Sequence, residues 1–166
     1  MDDKAYQDML FDLLEGEAFG EAFFGALAQQ PRNPESQTLW RLASTLEAVT
    51  YRRLRPLIER EQGDVDAITR DGTLRGEREA TGYVDQSCHD IATYFQTRAI
   101  NGLARLRALE AQARPDDVVV MKQVTAHSVA FGSFINAWLA NDLDGAAQAL
   151  RLYIEKAESS VLGGLE

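Results

Sequence analysis

The sequence predicts an all-α chain: a bundle of four long helices with one long crossover between the second and third, plus a shorter fifth helix at the C-terminal end. Three observations lead there. Apolar residues recur at three- and four-residue spacing, and no strand-like alternation stands beside that period. Four prolines occur in 166 residues, and three of them (Pro31, Pro34 and Pro115) fall in connections rather than inside helical stretches. The connections are also unequal in length. Short ones make antiparallel hairpins, whereas a middle segment of about 20 residues can travel the length of a bundle.

The first helix is expected from about Asp3 to Gln29. It ends at Gln30-Pro31-Arg32-Asn33-Pro34, where Asn33 and Pro34 read as the N-cap and first position of the next helix. The second covers about Pro34 to Gln62, and Pro56 inside it should kink it or end it early. From about Gly63 to Gly82 the period is lost among Gly63-Asp64, Asp71-Gly72 and Gly76-Glu77, and this stretch reads as the crossover. The third helix spans about Tyr83 to Ala113, and Arg114-Pro115-Asp116 makes a tight turn. The fourth runs to about Ala140, the segment Asn141 to Gly145 breaks it, and the fifth covers about Asp144 to Ser160. Residues 1–166 read as one domain.

Apolar residues make up 45% and charged residues 26% of the chain, the balance of a folded globular protein. The formal net charge of −9 argues against nucleic acid and against an anionic membrane surface, because both need a basic face. The single cysteine, Cys88, excludes an internal disulfide and a cysteine-rich metal site. No N-terminal signal pattern and no apolar run of the roughly 18–20 residues that span a bilayer were found. The expected location is therefore cytoplasmic.

A wheel at 100° per residue places polar side chains on the buried stripes. Helix one has its stripe at Tyr6, Met9, Leu10, Leu13, Phe24 and Leu27, with Glu17 roughly 20° from the centre. In helix two, Thr50 lies near the centre of the stripe and Glu47 about 50° from it. Arg98 falls within the apolar face of helix three, and His127 within that of helix four. Glu17, Glu47, Arg98 and His127 each lie within about two residues of their helix midpoint, or ~3 Å along the axis. A bundle brings helix midpoints to one level, so Glu17, Glu47, Thr50, Arg98 and His127 are expected to form a buried polar cluster. Phe11, Phe19 and Phe23 point away from the main stripe and should be covered by helix five or by a second subunit.

On Glu17 in Leu14-Glu15-Gly16-Glu17-Ala18, Glu47 in Leu46-Glu47-Ala48-Val49-Thr50 and His127 in Val124-Thr125-Ala126-His127, the chain resembles the ferritin-like di-iron carboxylate bundles. The family's site takes a Glu from each of two helices and a Glu-x-x-His from each of the other two. Here Glu17 matches the first, Glu47-x-x-Thr50 is a Glu-x-x-His with its His replaced, and Val124-x-x-His127 is one with its Glu replaced. The resemblance therefore implies a degenerate di-iron site.

The leading expectation is a non-catalytic ferritin-like homodimer with no catalytic residues and no cofactor. In it Arg98 would neutralise Glu17 or Glu47 directly, as a bidentate pair. Two alternatives stand beside it. Glu17, Glu47 and His127 could hold one iron or similar divalent ion, in a metal-binding protein or an oxidoreductase. The space left by lost ligands could instead hold a small apolar molecule among Phe24, Leu46, Phe95 and Phe131.

Overall fold

The computed structural model describes residues 2–31 and 33–162 and is all-helical, with no strand among them. Six α-helices follow in order: α1 (Asp3–Gln29), α2 (Pro34–Arg60), α3 (Val65–Ala80), α4 (Cys88–Glu110), α5 (Val118–Leu139) and α6 (Leu143–Leu162). A short 3-10 turn, Thr81–Tyr83, lies between α3 and α4. The chain divides into two compact units, residues 1–84 and 85–166.

In the first unit α1 is the central helix and packs along both α2 and α3. Asp2 caps α1 by accepting a hydrogen bond from the Ala5 amide at 2.8 Å, which satisfies one of the orphan amides of a helix start. Asn33 does the same for α2, accepting from Ser36 N at 2.7 Å, with Pro34 at the first helical position. Arg32, part of the predicted breaker, lies outside the described residues. Leu10, Leu14, Leu27, Leu39, Trp40, Ala43, Leu46, Leu54 and Ile58 form the core of this unit. Phe24 stacks on Trp40 at 5.6 Å. Helix α2 continues past the exposed Pro56 to Arg60, so the proline does not end it early.

The expected crossover is the largest correction to the sequence reading. Residues 65–80 are a 16-residue helix, capped by Asp64, whose side chain accepts from Ala67 N at 2.9 Å. Gly72 and Gly76 are not breakers there. They are buried and bring α3 against the backbone of α1, Gly72 over Glu15 and Gly76 over Phe19. A glycine costs a helix about 1 kcal/mol in propensity, and close helix packing offsets that here. Arg75 strengthens the contact, reaching Glu15 at 2.9 Å while its guanidinium lies 4.9 Å over the Phe19 ring. The same helix decides the aromatic face of α1. Phe11 lies beside Gly63, Phe19 beside Gly72 and Gly76, and Phe23 meets Tyr83 edge-on at 5.3 Å. Within the first unit, α3 and its flanking residues Gly63 and Tyr83 lie against this aromatic face.

In the second unit α5 is central and packs along α4 and α6. Helix α4 starts at Cys88, later than expected, because Ser87 caps it by accepting from Asp90 N at 3.1 Å. Val84 lies before the helix and is exposed. Ile91, Ala92, Phe95, Leu106 and Leu109 of α4 are buried, as are Met121, Val124, Phe134 and Ile135 of α5 and Ala146, Leu150, Tyr153 and Ile154 of α6. Against the expectation of no such segment, α5 is long and apolar enough, by length and composition, to cross a membrane. Its Thr, Ser, Gln and His residues interrupt every continuous apolar run, which is why inspection of runs passes over it. Its central place in this unit is the ordinary reason for such a helix to be apolar.

Candidate metal centre

Glu17 stands in the middle of α1, and the next turn of that helix on the same face is Gly20. Both are buried. The missing side chain at Gly20 leaves a notch, and the side chain of Glu47 from α2 lies in it: a Cβ built on Gly20 would stand 2.7 Å from Glu47 Cδ and 2.8 Å from its Cγ and Oε2. The notch lets a long acidic side chain lie across α1 where a helix contact would normally demand a small residue. It brings a carboxylate oxygen of Glu47 within 4.8 Å of one of Glu17. Relative exposures are 6% for Glu17 and 7% for Glu47.

Thr50, at the place where the di-iron pattern has a His, is fully buried and donates its hydroxyl to the Leu46 carbonyl at 3.2 Å. Glu21, one turn beyond Glu17 on α1, has its carboxyl held above the usual range. Burial is the largest cause; Arg52 acts against it, and the charge of Glu47 adds to it. The α1–α2 seam is thus a line of acidic groups that feel one another.

In the second unit His127 sits on α5 with 7% exposure. Its ring centroid is 5.9 Å from that of Tyr153 on α6. Tyr153 is buried and donates its hydroxyl to the Gln123 carbonyl at 3.2 Å, which fixes the ring. His89, on α4, is exposed.

Arg98 departs from the expectation. It is exposed on α4, its Nη1 donating to the Tyr94 hydroxyl at 2.6 Å and its guanidinium 5.4 Å over the Tyr94 ring. A wheel gives the direction of Cβ, whereas a long arginine stem carries the charge well away from it. The bidentate pairing expected of Arg98 is replaced by this contact with Tyr94. In the first unit Phe24 stacks on Trp40, and in the second Phe95 meets Phe131 edge-on at 6.0 Å.

Glu17 and Glu47 are a buried carboxylate pair of the first unit, His127 is a buried imidazole of the second, and all three are side chains of the kinds that hold metal ions. Two carboxylates and an imidazole suit first-row divalent metals, and three protein donors leave coordination positions open. Comparison with protein-family models, curated proteins and solved structures finds no match for this chain. Two contributors escaped the sequence reading. Gly20 has no side chain for a helical wheel to place, and Tyr153 lay on a helix whose packing partner was unassigned.

Proposed function

We propose that Glu17, Glu47 and His127 hold one divalent transition-metal ion, iron or a close neighbour, and that the protein is a ferritin-like metal-binding protein with one ion in place of two. The carboxylate pair in the Gly20 notch carries this reading. Two buried acids whose oxygens lie within 4.8 Å of each other are costly to hold as bare anions, and shared ligation of one cation is an arrangement that lowers that cost. A dication is the counter-charge that two carboxylates and a neutral imidazole fit best. When bound, such an ion supplies Lewis acidity or redox chemistry at its open positions. The chain's own residues fix its location: Gly20 admits Glu47, α1 holds Glu17, and Tyr153 supports one side of the His127 ring.

Metal analysis of protein purified without an affinity tag tests this. The expected result is one equivalent of metal per chain, lost in Glu17→Ala, Glu47→Ala and His127→Ala. Since ligand binding to the native state alone stabilises it by about 2.7 kcal/mol at a hundredfold excess over Kd, a chelator should lower the melting temperature of the parent and leave the three variants unmoved. Protein that takes up neither iron, manganese nor zinc at neutral pH, and whose melting temperature none of them raises, sinks the proposal.

A further inference from the structure

The second unit carries a cavity of about 190 Å³ between α5 and α6, lined by Lys122, Gln123, Ala126, Tyr153, Lys156 and Ala157. Lysine is scarce in this chain: Lys4, Lys122 and Lys156 are the only three, against 26 acidic residues. Two of the three line this one cavity. Lys4 is paired with Asp8 at 3.0 Å, whereas the side chain of neither Lys122 nor Lys156 makes an ion pair or hydrogen bond among the described residues. In a protein this acidic, two cations flanking a hollow without a carboxylate partner are a charge arrangement that favours an anion from outside. Apart from Gln123, the rest of the lining is two alanines and an aromatic ring. Ala126 and Ala157 leave space by their size, and the Tyr153 ring, buried and held through its hydroxyl on Gln123, makes a rigid wall.

We propose that this cavity binds a small organic carboxylate with a flat apolar body. Its carboxylate would lie between the two ammonium groups and its body against Tyr153. A lone inorganic anion would leave the apolar walls unused, and a neutral molecule of the same shape would leave the lysines unused. The volume limits the ligand to about one aromatic ring with its carboxylate. The inference does not depend on the metal reading, and its test is indifferent to whether the ion is present.

Calorimetric titration of the full chain at fixed pH with benzoate, benzamide and inorganic phosphate separates these cases. Benzoate is expected to bind saturably at one site, with benzamide and phosphate at least about tenfold weaker. Lys122→Gln and Lys156→Gln should each weaken benzoate about tenfold, and Lys4→Gln should leave it unchanged. Ala126→Leu keeps both lysines but fills the cavity from an exposed position, and it should abolish binding. Equal affinity for benzamide or for phosphate, or unchanged benzoate binding in the Lys122→Gln/Lys156→Gln double variant or in Ala126→Leu, would overturn the proposal.

Discussion

Replacing Gly20 with alanine separates the metal site from the fold around it. The new Cβ would stand 2.7 Å from Glu47 Cδ and 2.8 Å from Glu47 Cγ and Oε2, whereas carbon atoms pack comfortably at about 3.5–4.0 Å. The Glu47 carboxyl must therefore withdraw by about 1 Å. The atoms in the way are the far end of a flexible side chain, so the backbone of α2 has no need to move. An altered rotamer costs roughly 0.5–1.5 kcal/mol. Replacing a mid-helix glycine with alanine gains about 0.5–1 kcal/mol. The two nearly cancel, and net stability should change by less than about 1 kcal/mol. The metal site has no such tolerance, since ligand distances hold to about 0.2 Å. Displacing one of three ligands by several times that amount should weaken binding by at least about a hundredfold, or nearly 3 kcal/mol. The assay pairs calorimetric metal titration with urea unfolding in the presence of a chelator. Metal affinity equal to that of the parent would refute the reasoning, because it would mean that Glu47 in the Gly20 notch is not a ligand. Loss of affinity together with a large loss of chelated stability would refute it too, because the notch would then be a packing feature alone.

Three further outcomes follow from the same geometry. At Gly76 the obstructing atom is the Phe19 carbonyl of α1, which cannot swing aside. Gly76→Ala should therefore destabilise by about 1–3 kcal/mol in urea unfolding, while Gly16→Ala, with nothing within 4 Å of the new Cβ, should stabilise by about 0.5–1 kcal/mol; the same shift in both would disprove the packing of α3 on α1. Arg98→Gln should change stability by under about 0.5 kcal/mol, as expected of an exposed residue, and a loss of several kcal/mol would return Arg98 to the acidic cluster. Glu21→Gln probes the raised carboxyl: the folded state holds that proton more tightly than the unfolded chain, so the contribution of Glu21 to stability falls as pH rises through its folded pKa. The variant should be more stable than the parent at pH 7, with the difference fading as pH falls below about 4, where the carboxyl is neutral in both states; a difference that grows on acidification would reverse the assigned sign.

Glycine marks where the sequence was legible and where it was not. Helices α1, α2, α5 and α6 were readable to within a few residues because their ends carry local signals: Asn33 before Pro34, the Arg114-Pro115-Asp116 turn, the break after Ala140. Local chemistry encodes a cap, and the reader needs no partner to see it. Helix α3 was lost because Gly72 and Gly76 look like breaks when only their own segment is considered. Their value lies in the α1 backbone beneath them, and nothing in residues 63–82 names that partner. The site divides in the same way. Glu17, Glu47 and His127 could be singled out because a buried charge violates a local pattern. Arg98 was misplaced because the wheel fixes where a side chain begins and not where its charge ends. Gly20 gave no sign of the space Glu47 occupies, since that depends on the register of α2 against α1. In this chain the sequence states which residues break the rules of a helix face, and only packing states whether the break is a gap, a contact or a ligand pocket. Gly16, Gly20 and Gly76 show one of each: open surface, a notch that admits an acid, and a contact with the α1 backbone.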